Sequence, residues 1–172
     1  MDYRRLFMNV VQSVLWKLVN PIAIVTARCA GNASGFVASW ITQVSFVPPL
    51  IMVAVNPLHY TYELIVNSNA FAVNILRKDQ AELVEVFGKS SGRKVEKFAS
   101  TEYDLGSTGS PILKDCLAFV DCNVMWTREA GDHVLVVGSV AGAAINSDGE
   151  TLQEARSMYA QRTSSYSSSR DQ

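Results

Sequence analysis

Cysteine and histidine are scarce in this chain, which has three of the former and two of the latter among 172 residues. Cys29, Cys116 and Cys122 are odd in number and form no C-x-x-C pair, so the sequence favours neither a disulfide framework nor a zinc site. Only His59 and His133 are available for a histidine-rich metal centre, which excludes one. We therefore predict no metal site.

Long runs of one charge and long apolar runs are also missing. Fifteen basic and sixteen acidic residues leave a formal charge of −1, so nothing recommends nucleic acid or an anionic membrane as a partner. The apolar stretch 46–55 is interrupted by Pro48 and Pro49 and is shorter than the roughly 20 residues of a membrane-spanning helix. The polar residues of the first segment interrupt any secretion signal. We expect a soluble, cytoplasmic protein.

The common glycine-rich and nucleophile motifs do not occur either. The chain contains no G-x-G-x-x-G, no phosphate loop with Gly-Lys-Ser and no G-x-S-x-G turn. Its length, with 48% hydrophobic and 18% charged residues, fits one domain with a proper core. We predict a single domain over residues 1–162 and a disordered, Ser-rich tail over residues 163–172.

The chain does contain a succession of short apolar segments that are typical of strands. The first segment instead has helical spacing, at Leu6, Val10, Val14 and Leu18. The remaining pattern predicts strands over 22–25, 34–44, 50–55, 71–76, 116–128 and 133–145, helices over 60–66 and 79–87, and a surface loop over 89–111. Asp79 is the expected cap of the second of these helices.

Six strands with three helices, and no regular alternation between them, predict a mainly antiparallel sheet. The fold class is therefore mainly β with flanking helices, and the sheet should form a closed or nearly closed barrel rather than a doubly wound α/β fold.

Four local signatures carry more specific information. They are NPIAIVTA at 20–27, ASWITQVSFVPPLIMVAV at 38–55, SNAFAVNIL at 68–76 and GDHVLVVGSV at 131–140. In this order and spacing they resemble the flavin-reductase-like family of FMN-binding split barrels. The resemblance implies a Greek-key split β-barrel, a homodimer, and FMN held near the dimer interface.

The same resemblance leaves the reaction open. It implies an oxidoreductase in which NADH or NADPH reduces FMN, and electrons leave to free flavin, a ferric chelate or a protein acceptor. The alternative is a flavoredoxin-like electron-transfer flavoprotein without its own nicotinamide site. A third possibility is a flavin- or haem-binding module without turnover.

The resemblance also implies which residues hold the cofactor. The flavin ring needs an apolar slot with hydrogen bonds to N5 and to its pyrimidine edge, and the residues expected there are Ala38, Ser39, Trp40, Ile41, Thr42, Gln43 and Ser45. In a competing interpretation, Ser39 and Thr42 lie on the outer face of a strand and Trp40 packs in the core.

The phosphate needs hydroxyls, backbone amides and cations. The resemblance implies Asn56, His59, Tyr60, Thr61, Ser91, Arg93 and Lys97 around it. Arg93, Lys94 and Lys97 offer charge, although a solvated basic loop explains any one of these lysines at least as well.

Four further features complete the expectations. Asn74 lies inside an apolar strand, so its amide should have a defined hydrogen-bond role, to flavin or to backbone. The resemblance places His133 near the open face of the flavin, where a nicotinamide would stack. Cys116 and Cys122 are expected on the same face of one strand, packed in the core. The segment after 156 lacks the apolar residues that would close a lid over the site.

Overall fold

A computed structural model describes residues 3–153 of the chain. The chain divides into two units, one formed by Pro21–Leu152 and the other by Met1–Asn20 with Gln153–Gln172. The second unit contains helix α1, Tyr3–Leu15, which confirms the helical spacing of the first segment. The predicted domain end at 162, the Ser-rich tail and the question of the lid lie outside the described residues.

The unit Pro21–Leu152 is built mainly of antiparallel strands, as the sequence predicts. Its elements are β1 Ala23–Cys29, β2 Asn32–Ala38, β3 Ile41–Ser45, β4 Leu50–Val55, α2 Tyr60–Ser68, β5 Ala70–Ile75, α3 Ala81–Gly88, β6 Tyr103–Leu105, β7 Pro111–Leu113, β8 Ala118–Ala130 and β9 His133–Ile145. Seven strands form one sheet in the order β2-β1-β5-β8-β9-β4-β3, and β6 pairs with β7.

A tight turn joins β1 to β2, because Ala30 and Gly31 both have positive φ angles, of 49° and 87°. Two such residues match the twist of a hairpin. The single strand predicted over 34–44 is wrong. The chain leaves β2 at Ser39 and begins β3 at Ile41, because β2 pairs with β1 whereas β3 pairs with β4.

This break links the two outer strands of the sheet. β2 and β3 stand at opposite ends of the strand order, yet only Ser39 and Trp40 separate them along the chain. The backbone N–H of Ala54 on β4 donates to the carbonyl of Trp40, at 3.0 Å. The sheet therefore curls until its ends meet at this corner, as the split-barrel expectation requires.

Two apolar clusters fill the two faces of the curled sheet. The larger includes Val25, Val53 and Phe71, and the smaller includes Ile24 and Phe87. Neighbouring residues of one strand thus enter different clusters, as the alternation of side chains along a strand dictates.

Three local predictions are corrected by the structure. Gln80, not Asp79, is the N-cap residue of α3, and it makes no side-chain capping bond; Asp79 accepts a hydrogen bond from the Arg77 guanidinium at 3.0 Å. The segment 89–111 is not wholly a surface loop, since it contains β6. Cys116 and Cys122 are both buried, as predicted, but they belong to different clusters because β8 begins after Cys116. Burial raises the pKa of the two thiols to about 11 and about 12 respectively.

Buried polar side chains attach the β6–β7 segment to the sheet. Asn74 on β5 is fully buried. Its amide nitrogen donates to the Ile24 carbonyl and to Thr26 Oγ1, both at 3.1 Å, and its oxygen accepts from the Leu113 N–H at 2.8 Å. Nearby, the Asp121 carboxylate accepts from the N–H and hydroxyl of Thr108. The hydrogen-bond role expected for Asn74 is thus met by protein groups.

Replacing this amide should therefore cost stability. In Asn74→Leu the Leu113 N–H and the Ile24 carbonyl lose buried partners, so we expect the free energy of unfolding to fall by about 2 to 4 kcal/mol. Urea denaturation of the variant measures this loss. The matched control is Asn67→Leu, the same change at an exposed position of α2, which should stay within about 0.5 kcal/mol of the parent. Equal stability of both variants would contradict the role given to Asn74.

Candidate functional site

The corner between β2 and β3 brings together two of the predicted site residues. The ring of Trp40 lies 4.8 Å from the ring of His133, centroid to centroid, at an angle of 51°. His133 begins β9, and its Nδ1 lies 2.8 Å from a carboxylate oxygen of Asp132. Trp40 is 49% exposed, so the competing interpretation that it packs in the core is wrong. An aromatic and an imidazole ring thus line an accessible surface.

Ser39 lies beside them but is buried, with 3% of its surface exposed. Its carbonyl accepts a hydrogen bond from the Ile41 N–H at 3.1 Å. Its hydroxyl has no hydrogen-bond partner within the described part of the chain. Since buried hydroxyls are nearly always paired, this one is suited to a ligand atom.

The remaining residues predicted for the ring differ in their surroundings. Ala38 is buried in the larger cluster, and Ile41 packs against it. Thr42 and Gln43 are exposed, and their side chains bond the β3 backbone at the carbonyls of Gln43 and Ser45. The structure therefore places Thr42 and Gln43 toward solvent, whereas Ser45 at the end of β3 is half-buried.

A second cluster forms where β2, α2 and the loop after α3 meet. Thr61 Oγ1 donates to Ser34 Oγ at 3.1 Å, and both residues are at least 98% buried. Gly92 lies directly against Ser34, since a Cβ atom at this position would collide with Ser34 Oγ. We call Ser34, Thr61, Gly92 and Arg93 the cradle.

Arg93 places a positive charge at the edge of the cradle. Its guanidinium carbon lies 4.9 Å from the centroid of the Tyr60 ring, and it forms an ion pair with Glu63 on α2. Ser91 Oγ accepts from the Arg93 N–H at 3.3 Å, which fixes the turn that carries the arginine. Four residues predicted for the phosphate, namely Tyr60, Thr61, Ser91 and Arg93, thus lie in or beside one cluster.

The segment before α2 adds two more of the predicted residues. The Asn56 side-chain oxygen accepts from the Leu58 N–H at 3.0 Å. The His59 ring stacks on Phe36 of β2, with centroids 4.8 Å apart and planes 15° from parallel. His59 is the N-cap residue of α2 but makes no side-chain capping bond. These contacts hold the start of α2 beside β2.

Two predicted site residues lie outside both groups. Asn74 bonds the β6–β7 segment, as described above. Lys97 is 6% exposed, and its ammonium donates to the carbonyls of Gly35, at 2.9 Å, and Phe87, at 2.6 Å. Burial lowers the pKa of this lysine to about 8. Its charge faces protein carbonyls rather than the surface.

Sequence analysis missed Ser34, although it is central to the cradle. Its only signal was a hydroxyl residue between Ala33 and Gly35 in a strand of otherwise apolar character. Only the fold shows that this hydroxyl meets Thr61 and Gly92. β2 also connects the two groups: Ser34 and Ser39 are five residues apart, or about 16 Å along a strand. The two ends of β2 thus offer an elongated site with different chemistry at each end.

Two other features of residues 3–153 bear on the expectations. No group of three or more His, Cys, Asp or Glu side chains in this range is arranged to hold a metal ion. No helix in the same range has the length and apolar character needed to cross a membrane.

Comparisons with known proteins identify the family of this chain. The model of the flavin reductase like domain family matches residues 16–164. A flavin reductase from Pseudomonas putida is 30% identical over 142 residues, which cover 82% of each chain. A high molecular weight rubredoxin from Moorella thermoacetica is 33% identical over 140 residues, or 80% of this chain and 61% of that protein.

Solved structures include a flavin-binding protein with a similar fold. An FMN-binding protein from Thermus thermophilus superposes with a TM-score of 0.71 at 29% identity, over 75% of this chain and 72% of that one. The chain spans only 25% to 61% of the length of the first three curated relatives that it matches. The family match itself covers most of this chain, and its fold agrees: the chain belongs to the flavin reductase like domain family.

Proposed function

We propose that this chain binds FMN along β2 and acts as an NAD(P)H-dependent oxidoreductase. The proposal rests on one observation: two clusters of side chains with different chemistry lie at the two ends of β2. One end has the hydroxyl and cationic cradle, and the other has the buried Ser39 hydroxyl, which has no partner in residues 3–153, beside the exposed Trp40 ring and the half-buried His133 ring. FMN has a matching shape, with a dianionic phosphate at one end and a flat aromatic ring at the other.

The cradle suits the phosphate for three reasons. The Ser34 hydroxyl accepts from Thr61 Oγ1 and so keeps its own hydrogen to donate, and Arg93 supplies the positive charge that a dianion needs. Gly92 lets the loop lie against Ser34, because a Cβ atom at this position would collide with the Ser34 hydroxyl. The start of α2 adds the backbone N–H groups and positive dipole of a helix N-terminus.

The opposite end suits the ring. The Ser39 hydroxyl can donate to a ring heteroatom, and Trp40 supplies an apolar surface. His133 lies over that surface, at the position where a nicotinamide would stack. FMN accepts hydride from a nicotinamide and passes electrons onward, while the protein supplies orientation and electrostatics.

The electron acceptor is proposed by chemical class. Free flavin, a ferric chelate or a protein acceptor would each be reached through the exposed Trp40 corner. The similarity to the P. putida flavin reductase, over 82% of each chain, supports the reductase. The match to a high molecular weight rubredoxin supports the alternative, an electron-transfer flavoprotein fed by a separate reductase.

We also propose that the chain forms a homodimer. Large apolar side chains are exposed between β3 and β4, where Phe46 is 84% and Val47 is 92% exposed. Such residues are usually covered in an assembly. An obligate dimer would bury more than about 2,000 Å² in total.

The assignment of the cradle to the phosphate is tested by adding a side-chain carbon at Gly92. In Gly92→Ala the added Cβ would collide with Ser34 and displace the loop, so we expect the Kd for FMN to rise by about tenfold or more, since a 1.4 kcal/mol loss suffices. The Kd for riboflavin, which lacks the phosphate, should change little. The control is Gly142→Ala, whose Cβ would have no atom closer than 3.5 Å. Equal weakening of both ligands by Gly92→Ala would place the phosphate elsewhere.

The reaction is tested with the FMN-loaded protein under anaerobic conditions. We expect NADH or NADPH to bleach the flavin absorption band, and steady-state nicotinamide oxidation to continue when free FMN is added. Bleaching by dithionite but by neither nicotinamide would contradict the reductase and favour the electron-transfer alternative. No flavin absorption after loading would contradict FMN binding itself.

The dimer is tested by sedimentation across a dilution series. If the flavin contacts both copies, FMN should shift the monomer–dimer equilibrium toward dimer, because a ligand that binds only the pair stabilises it by mass action. A chain that stays monomeric at micromolar concentration while it retains FMN would refute the dimer and the shared site.

A further inference from the structure

Lys97 differs from every other cation whose side chain is described in residues 3–153, because it alone is buried. No carboxylate in this part of the chain pairs with it, and its hydrogen-bond partners there are the carbonyls of Gly35 and Phe87. A buried charge without a counter-charge is costly. Its position should therefore serve a purpose that an apolar side chain could not.

One of the two carbonyls ties Lys97 to α3. Phe87 lies in the last turn of that helix, where carbonyls lack partners within the helix and carry partial negative charge. Lys97 follows Phe87 by ten residues, and its ammonium donates a hydrogen bond to this carbonyl. The contact therefore joins the two ends of the 88–96 loop, which carries Ser91, Gly92 and Arg93.

The other carbonyl ties the same ammonium to β2. Gly35 directly follows Ser34, whose hydroxyl lies against Gly92 and Thr61. A Cβ at Gly35 would come within 2.9 Å of the Phe87 ring, so α3 packs closely at this point. Lys97 thus joins the base of the loop to the strand that supplies the first hydroxyl of the cradle.

We infer that Lys97 is a positioning residue for the flavin phosphate: it joins the 88–96 loop to β2 and so sets the spacing between Gly92 and Ser34. Lys97 does not touch the phosphate. It acts through the backbone at Gly35 and Phe87, and without it Gly92 and Arg93 are no longer held against Ser34. This inference rests on the proposed binding of FMN.

Comparing FMN with riboflavin tests the inference, because the two ligands differ only by the phosphate. We expect Lys97→Met, which keeps length and removes donors and charge, to raise the Kd for FMN by about tenfold, the loss of one charge-assisted contact, while the Kd for riboflavin stays within about twofold. Lys97→Arg, which keeps the charge and the donors, should recover part of the FMN affinity. The control Lys89→Met removes a charge that is 74% exposed near the start of the same loop and should leave both Kd values unchanged.

The outcomes separate this inference from the proposed function. Equal weakening of FMN and riboflavin by Lys97→Met would indicate a general structural role and overturn the inference. A parent protein that binds neither flavin would overturn the proposed function and the inference with it. A parent that binds both ligands equally well would remove the phosphate site and overturn the inference while leaving flavin binding intact.

A measurement on the parent protein covers the case in which Lys97→Met does not fold. Hydrogen exchange should be slowed by FMN, but not by riboflavin, in peptides that span 87–97 and 33–36. Equal slowing by both ligands, or slowing by neither, would overturn the inference, since the loop would then not respond to the phosphate.

Discussion

The structure depends on one constraint of chain connectivity. β2 and β3 occupy opposite ends of a seven-strand order, yet two residues join them. From Ala38 to Ile41 the chain has three steps and spans only about 10 Å, so the sheet cannot stay open and its ends must meet. The same link puts Ser39 in the interior and Trp40 in contact with His133. The curl of the sheet and the ring end of the candidate site thus have the same cause.

Polar contacts decide where the irregular segments lie. The β6–β7 segment is attached to the sheet by buried groups of Asn74 and Asp121, and the 88–96 loop is attached by Lys97. Apolar packing alone would leave these segments many equivalent positions, because it has no direction. Hydrogen bonds to named carbonyls and amides remove that freedom. Each such hydrogen bond adds only modestly to stability, but a buried donor or acceptor left without a partner is strongly destabilising.

Sequence analysis predicts strands well where the hydrophobic pattern is clear. β4 and β9 were predicted with the observed bounds, because turn residues flank continuous apolar runs. The break at Ser39 and Trp40 was not predictable locally, since serine, tryptophan and isoleucine continue an acceptable strand. What breaks the strand is a change of pairing partner, which only the whole sheet determines.

In the candidate site, too, sequence analysis identifies residues with a signal in the neighbouring sequence and misses residues defined by contacts between distant segments. Thr61 was predicted because a hydroxyl at a helix start is typical of phosphate binding, and Arg93 because the family resemblance implies phosphate contacts in its loop. Ser34 was missed because its neighbours in space come from α2 and the 88–96 loop, 27 and 58 residues away. Lys97 was assigned to the phosphate for its charge, and nothing in its local sequence shows that two remote carbonyls surround it.

The anchoring of the 88–96 loop at both ends has a consequence for how this chain can vary. Residues between two fixed points contribute to stability mainly through the entropy of closing the loop, and that cost grows by only about 0.6 kcal/mol for each doubling of length. Insertions between Gly92 and Lys97 should therefore be tolerated much better than a change at either anchor. Homologous chains could differ in the length of this segment and still present the same backbone at Gly35 and Phe87.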